Sequence, residues 1–213
     1  YVVFNINYRL VPDVTVNQQL QDVARALRWI RDHGSQYPCD MRNIMLTGDS
    51  AGGQLAAYSA VLMQSAQLRK TFDTVDPQME LTALLLTSPV AFMRDGGLFS
   101  LYTKPMWGTD YKDKATYPYM DFDQIIDYAQ ALPPTYLITS SGDTLANKQT
   151  HRLYEVLQAH GVQAEIKDYA KAEYNQSLPH VFSVLQPFEP AGTAAIDKAL
   201  AFYQQAMTAK AAQ

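Results

Sequence analysis

The sequence predicts an α/β fold: a mostly parallel central sheet covered by helices on both faces, built as one domain. Two observations predict it. Short apolar runs rich in β-branched and aromatic residues alternate along the chain with longer segments whose apolar residues recur at helical spacing, the pattern of a parallel sheet with crossover helices. The chain also has 213 residues, 47% of them hydrophobic, which is enough for one sizeable core and too little to require two.

The elements follow in order. Tyr1 to Ile6 is almost continuously apolar, which suits a strand buried on both faces. Leu20, Val23, Ala24, Leu27 and Ile30 then mark an amphipathic helix that stops near His33 and Gly34. Ile44 to Thr47 makes a short strand, and Ala51 to about Gln64, rich in Ala and Leu, reads as a helix. Further strands are predicted at Leu81 to Thr87, Thr135 to Thr139 and Ala164 to Tyr169. Between the last two, Asn147 to His160 places Leu153, Tyr154 and Leu157 on one helical face; after the last strand, Thr193 to Met207 forms a closing helix with Ile196, Leu200 and Tyr203 in step. The segment from Pro89 to Leu132 breaks this alternation and carries Phe92, Phe99, Tyr102, Trp107, Tyr111, Tyr117, Tyr119 and Phe122. An insertion of that length is expected to be a lid or binding loop, or else an irregular loop anchored to the core by its aromatics.

Composition removes several classes of function. A net charge of −4 and no block of like charge leave no basic footprint for nucleic acid or anionic lipid. The one cysteine, Cys39, allows neither an intramolecular disulfide nor a zinc site. No apolar run approaches the roughly 18 to 20 residues that span a bilayer. The chain is therefore read as a cytoplasmic protein acting on a small neutral or apolar molecule, although it begins with Tyr rather than Met.

Gly48-Asp49-Ser50-Ala51-Gly52 fits the pattern G-x-S-x-G between a predicted strand and a predicted helix, the context a nucleophile elbow requires. A serine on so tight a turn is expected to be backbone-strained, with glycines on either side removing side chains that would collide. The helix that follows directs its free N–H groups, Ala51 N–H first, toward a developing oxyanion. A serine hydroxyl needs a neighbouring base, usually histidine, held by a carboxylate. Of the four histidines, His33 and His160 each precede a glycine at a helix end, where bonding to the last carbonyls explains them, and His151 lies in an early turn of a helix with an exposed position expected. That leaves His180, on a loop after the last strand, as the base. The acid must fall between Ser50 and His180 and follow a strand. Asp143 does so, whereas Asp168 lies within a strand and Asp127 on a helix; Asp143 as a plain helix cap is the structural alternative. Asp49 and Val181, beside the nucleophile and base, and Phe92 and Trp107 in the aromatic segment are the candidate substrate-binding residues.

These residues resemble the hormone-sensitive-lipase family of α/β-hydrolases, which includes bacterial carboxylesterases. Tyr8-Arg9-Leu10-Val11-Pro12-Asp13 is similar to the family's YRLAPE segment, residues 48 to 53 to its GDSAGG elbow, Asp143-Thr144-Leu145 to its DPL and His180-Val181-Phe182 to its H-x-F. Leu132-Pro133-Pro134 opens the strand that precedes the acid. The resemblance implies an α/β-hydrolase fold and hydrolysis of carboxylic esters with short or medium acyl chains. It implies a small-molecule ester substrate, no metal or organic cofactor and no membrane span, and it is compatible with a homodimer. Thr144 departs from the family's proline, the stretch near Lys171 to Ser177 is extra, and the HGGG motif that supplies further oxyanion donors is missing. Losing one such donor costs roughly 10²- to 10³-fold in rate. The expectation is that the sequence is the C-terminal portion of a larger hydrolase whose first strands and HGGG loop lie upstream of Tyr1. An amidase or peptidase using the same triad, and a binding protein on the same scaffold, remain open alternatives.

Overall fold

The computed structural model describes residues 1–94 and 98–212, leaving aside the side chains of 98–100. Four strands, β1 (Met45–Asp49), β2 (Ala83–Thr87), β3 (Thr135–Ser140) and β4 (Ala164–Tyr169), form one sheet in sequence order. Every pairing is parallel, with Asp49 opposite Thr87, Thr87 opposite Ile138 and Ser140 opposite Tyr169 at the carboxyl ends. The helices are α1 (Val16–His33), α2 (Ala51–Leu62), α3 (Ala66–Phe72), α4 (Leu98–Trp107), α5 (Asn147–Ala159), α6 (Lys171–Tyr174), α7 (Phe182–Leu185) and α8 (Pro190–Ala211).

The chain divides into two compact units, residues 1–42, 58–80 and 92–131 in the first and 43–57, 81–91 and 132–213 in the second, so the division falls inside α2. The second unit holds the sheet. Tyr136 and Ile138 of β3 face a buried cluster in which Ala191, Ala195 and Ala199 of α8 lie one helical turn apart. Small side chains at that spacing let the helix axis approach the strands closely, and Phe202 and Tyr203 fill the space beside them. The Tyr203 hydroxyl donates to the Asn43 carbonyl at 2.7 Å, which pins α8 just ahead of β1. On the opposite parity of β3, Thr139 receives the Asn147 amide of α5, so α5 covers the other face.

The first unit is built on α1, whose Val16, Leu20, Val23, Leu27 and Ile30 are all buried. Tyr58 is fully buried between Phe72 and Phe122, with its hydroxyl donating to the Tyr119 carbonyl at 3.0 Å. In the segment expected to be either a lid or binding loop or a loop anchored to the core, Phe92, Trp107 and Phe122 are core residues, while Tyr102 is exposed. Phe99 lies outside the described side chains. Asp121 organises part of this segment, one carboxylate oxygen accepting the Met93 and Arg94 N–H groups at 2.6 and 2.9 Å.

One predicted element differs. Tyr1 to Ile6 forms no strand, and its burial alternates, with Tyr1 and Val3 exposed. Apolar content identifies a residue run that suits a strand, but the strand itself exists only through ladder pairing. The segment is held instead by Phe4 edge-on to Tyr37 and, a few residues on, by the two-pronged bond from the Arg9 guanidinium to Asp22 on α1. Among the described residues no helix is long and apolar enough to cross a membrane.

Candidate active site

Ser50 stands between the last residue of β1 and the first of α2, with φ of 50°, a left-handed conformation that an L-residue adopts only under constraint. The constraint is visible. Its N–H donates to Thr87 O at 2.9 Å, and its carbonyl accepts from Gln54 N at 3.1 Å and Val90 N at 3.2 Å. A Cβ at Gly48 would lie 2.2 Å from the Gly52 carbonyl oxygen, so the elbow closes this tightly only with glycine there. Ser50 is half-buried and Ala51 exposed, at the N-terminus of α2, where the first N–H groups have no intrahelical partner.

His180 joins the elbow to the acid. Its Nε2 is 2.9 Å from Ser50 Oγ and its Nδ1 is 3.0 Å from Asp143 Oδ2. The Asp143 side chain is completely buried while His180 keeps 23% of its side-chain surface, so the relay opens to solvent at the histidine and serine end. The second Asp143 oxygen accepts Leu145 N at 3.0 Å and Ala146 N at 2.9 Å. Burial pushes this carboxyl up, but the His180 ring, the Ala146 N–H and the nearby Ser88 hydroxyl more than offset it and hold the group below the ordinary carboxylate value. Ser88 contributes by proximity, since its Oγ makes no hydrogen bond of ordinary geometry.

The loops that carry the acid and the base are tied together. Ser140 Oγ donates to Leu178 O at 2.6 Å, and Gly142 lies so near that carbonyl that a Cβ would sit 2.4 Å from it. Ser88 and Val181, next to the acid and the base, share the left-handed backbone of Ser50, with φ of 46° and 51°. Three of the six left-handed non-glycine residues among those described thus lie at this constellation, the others being Asp73, Gln78 and Asn175.

The remaining predicted site residues are dispersed. Asp49 ends β1 half-buried and Val181 is buried beside the base. Phe92 and Trp107 belong to the core of the first unit, 0% and 2% exposed, and as placed neither offers surface to a ligand. His33 and His160 each bond a carbonyl one turn back, Trp29 O at 2.9 Å and Val156 O at 2.7 Å. His151 is not simply exposed: its Nε2 lies 2.9 Å from Asp168 Oδ2. Ser88, Asn147 and this second Asp–His pair carry no motif, and only the tertiary arrangement reveals them. Among the described residues no group of three or more His, Cys, Asp or Glu side chains is placed to hold a metal ion.

In sequence and in overall fold the chain is similar to known esterases. The chain is 27% identical over 201 residues to a probable carboxylic ester hydrolase, LipM, of Mycobacterium tuberculosis, an alignment covering 92% of this chain and 46% of the relative. It is 25% identical over 182 residues to an acetyl esterase of Salmonella choleraesuis, covering 78% and 53%. The chain thus spans about half the length of these curated relatives. Among solved structures, esterase B from Lactobacillus rhamnosus superposes with a TM-score of 0.87 at 29% identity, over 96% of this chain and 66% of that one. The same esterase has been solved with a tributyrin phosphonate inhibitor. The family defined by the alpha/beta hydrolase fold matches residues 1–178, and with most of its length inside that match the chain belongs to this family.

Proposed function

We propose that the protein is a serine hydrolase that cleaves carboxylic esters of short acyl chain through an acyl-enzyme on Ser50. The observation that carries this reading is the continuous relay from Ser50 Oγ to His180 Nε2 at 2.9 Å and from His180 Nδ1 to Asp143 Oδ2 at 3.0 Å. In the first half-reaction Ser50 Oγ attacks the ester carbonyl while His180 Nε2 takes its proton, then returns that proton to the leaving alcohol. Asp143, kept ionised by its donors, holds the ring with Nδ1 protonated and steadies the imidazolium that forms. The Ala51 N–H, at the positive end of α2, supports the tetrahedral oxyanion. A water activated by His180 then releases the acid and frees Ser50.

The choice of ester and short acyl chain rests on the relatives named as esterases and on the tributyrin-derived inhibitor of esterase B. Steady-state assays with p-nitrophenyl acetate, butyrate and octanoate test it. Turnover is expected to be fastest on the two shorter esters and to fall by at least about 10⁴-fold in Ser50→Ala. Undiminished turnover in that variant would refute the assignment, and faster cleavage of a matched anilide than of the ester would replace it with an amidase.

A further inference from the structure

Outside the relay, the second unit contains another carboxylate–imidazole pair, and it is linked to the acid loop by one side chain. Asn147, the first residue of α5, donates through Nδ2 both to the Ser140 carbonyl at 2.9 Å and to Asp168 Oδ2 at 2.9 Å. Its own N–H donates to Asp143 O at 3.3 Å. Residues 140 to 147 are the loop that carries Asp143, so a single amide clamps the loop's first residue to its last. The clamp is fixed in turn: His151, one helical turn further along α5, donates to the same Asp168 oxygen at 2.9 Å. The two donors at i and i+4 hold Asp168 of β4 in one orientation.

Asp168 Oδ1 makes no hydrogen bond among the described residues. All its directed bonding goes through Oδ2 to the two α5 side chains. The acid loop, by contrast, has every reason to need an external brace. Asp143 must offer Oδ2 to His180 while Oδ1 stays with Leu145 and Ala146, and a shift of about 1 Å in a reacting group can lower turnover on the order of 10²-fold.

We infer that Asn147 is a positioning residue for the catalytic acid, anchored by the Asp168–His151 pair, so that this outer network acts on the reaction only through the placement of Asp143. The inference rests on the serine-hydrolase reading above. The test is a double-mutant cycle on p-nitrophenyl butyrate, with Ser50→Ala and Asp143→Asn as controls. Asn147→Ala is expected to lower kcat by about 10- to 100-fold with KM unchanged within about twofold. In the Asp143→Asn background the same change is expected to alter kcat by less than about twofold, because the acid it positions is already disabled. Asp168→Asn, which keeps an oxygen able to accept both donors, is expected to remain within about threefold of the parent, while Asp168→Leu reproduces most of the Asn147→Ala loss. The inference is overturned if Asn147→Ala leaves kcat unchanged, if it lowers kcat by the same factor with and without Asp143, or if it raises KM alone. If Asn147→Ala does not fold, the Asp168→Asn and Asp168→Leu pair decides, and equal loss in both overturns the inference. Activity left undiminished by Ser50→Ala or by Asp143→Asn would instead strike the serine-hydrolase reading itself.

Discussion

At the scale of single residues, the elbow shows how a few atoms decide reactivity. Gly48 is required by a carbonyl oxygen, not by a ligand: any Cβ there meets Gly52 O at 2.2 Å, and the backbone has little freedom because Ser50 is bonded on both its N–H and its carbonyl. Gly48→Ala is therefore expected to displace Ser50 and lower kcat/KM at least about tenfold, measurable on p-nitrophenyl butyrate beside a thermal melt that separates lost reactivity from lost folding. The sequence makes this position legible because the motif itself encodes the steric demand. It makes the histidines legible by elimination, since His33 and His160 do bond the carbonyls behind them. Ser88 is not legible. Its left-handed backbone and its place beside Asp143 depend on how the end of β2 meets the loop after β3, and no local pattern reports that meeting.

Elements were readable where a periodic apolar pattern coincided with a packing partner. The strand predicted at Ala164 to Tyr169 has those same limits, and the helix predicted at Asn147 to His160 ends one residue earlier. Tyr1 to Ile6 was misread for the complementary reason: its apolar content is strand-like, but strand character resides in the neighbour. The aromatic segment was half-readable. Counting aromatics shows that it must bury something, and the 3₁₀ turns into which it folds between Tyr111 and Tyr128 have no comparable signature. The closing helix was located from Ile196, Leu200 and Tyr203, yet its working face is the alanine row at 191, 195 and 199, all but fully buried. That row sets the distance from helix to sheet. Ala195→Leu is expected to overpack it and to lower stability by about 1 to 3 kcal/mol, while the exposed Ala201→Leu on the same helix has little effect; urea unfolding of the two variants makes the comparison.

At the scale of the whole molecule, two buried carboxylates contribute to the dependence of stability on pH with opposite signs. Asp143 is held below the ordinary carboxylate value, so relative to the unfolded chain it stabilises the fold above about pH 4. That contribution drains away as pH falls through its folded-state value. Asp121 is shifted upward, first by burial, against which the Arg94 and Met93 N–H groups and the Arg94 charge compensate only in part. Its ionisation therefore weakens the fold, an effect absent in acid that develops as pH rises past about 4 and through its folded-state value. Both N–H groups end on the same oxygen, so an amide can accept both without carrying charge. Asp121→Asn is accordingly expected to melt at or above the parent temperature at pH 7, with the difference shrinking toward pH 4. Asp121→Ala, which strands the buried Met93 N–H, is expected to lose about 1 to 3 kcal/mol at both. Melting curves at pH 4 and pH 7 settle the sign: an Asn variant less stable than the parent at neutral pH would mean that the charge itself, and not only its oxygen, holds the segment in place.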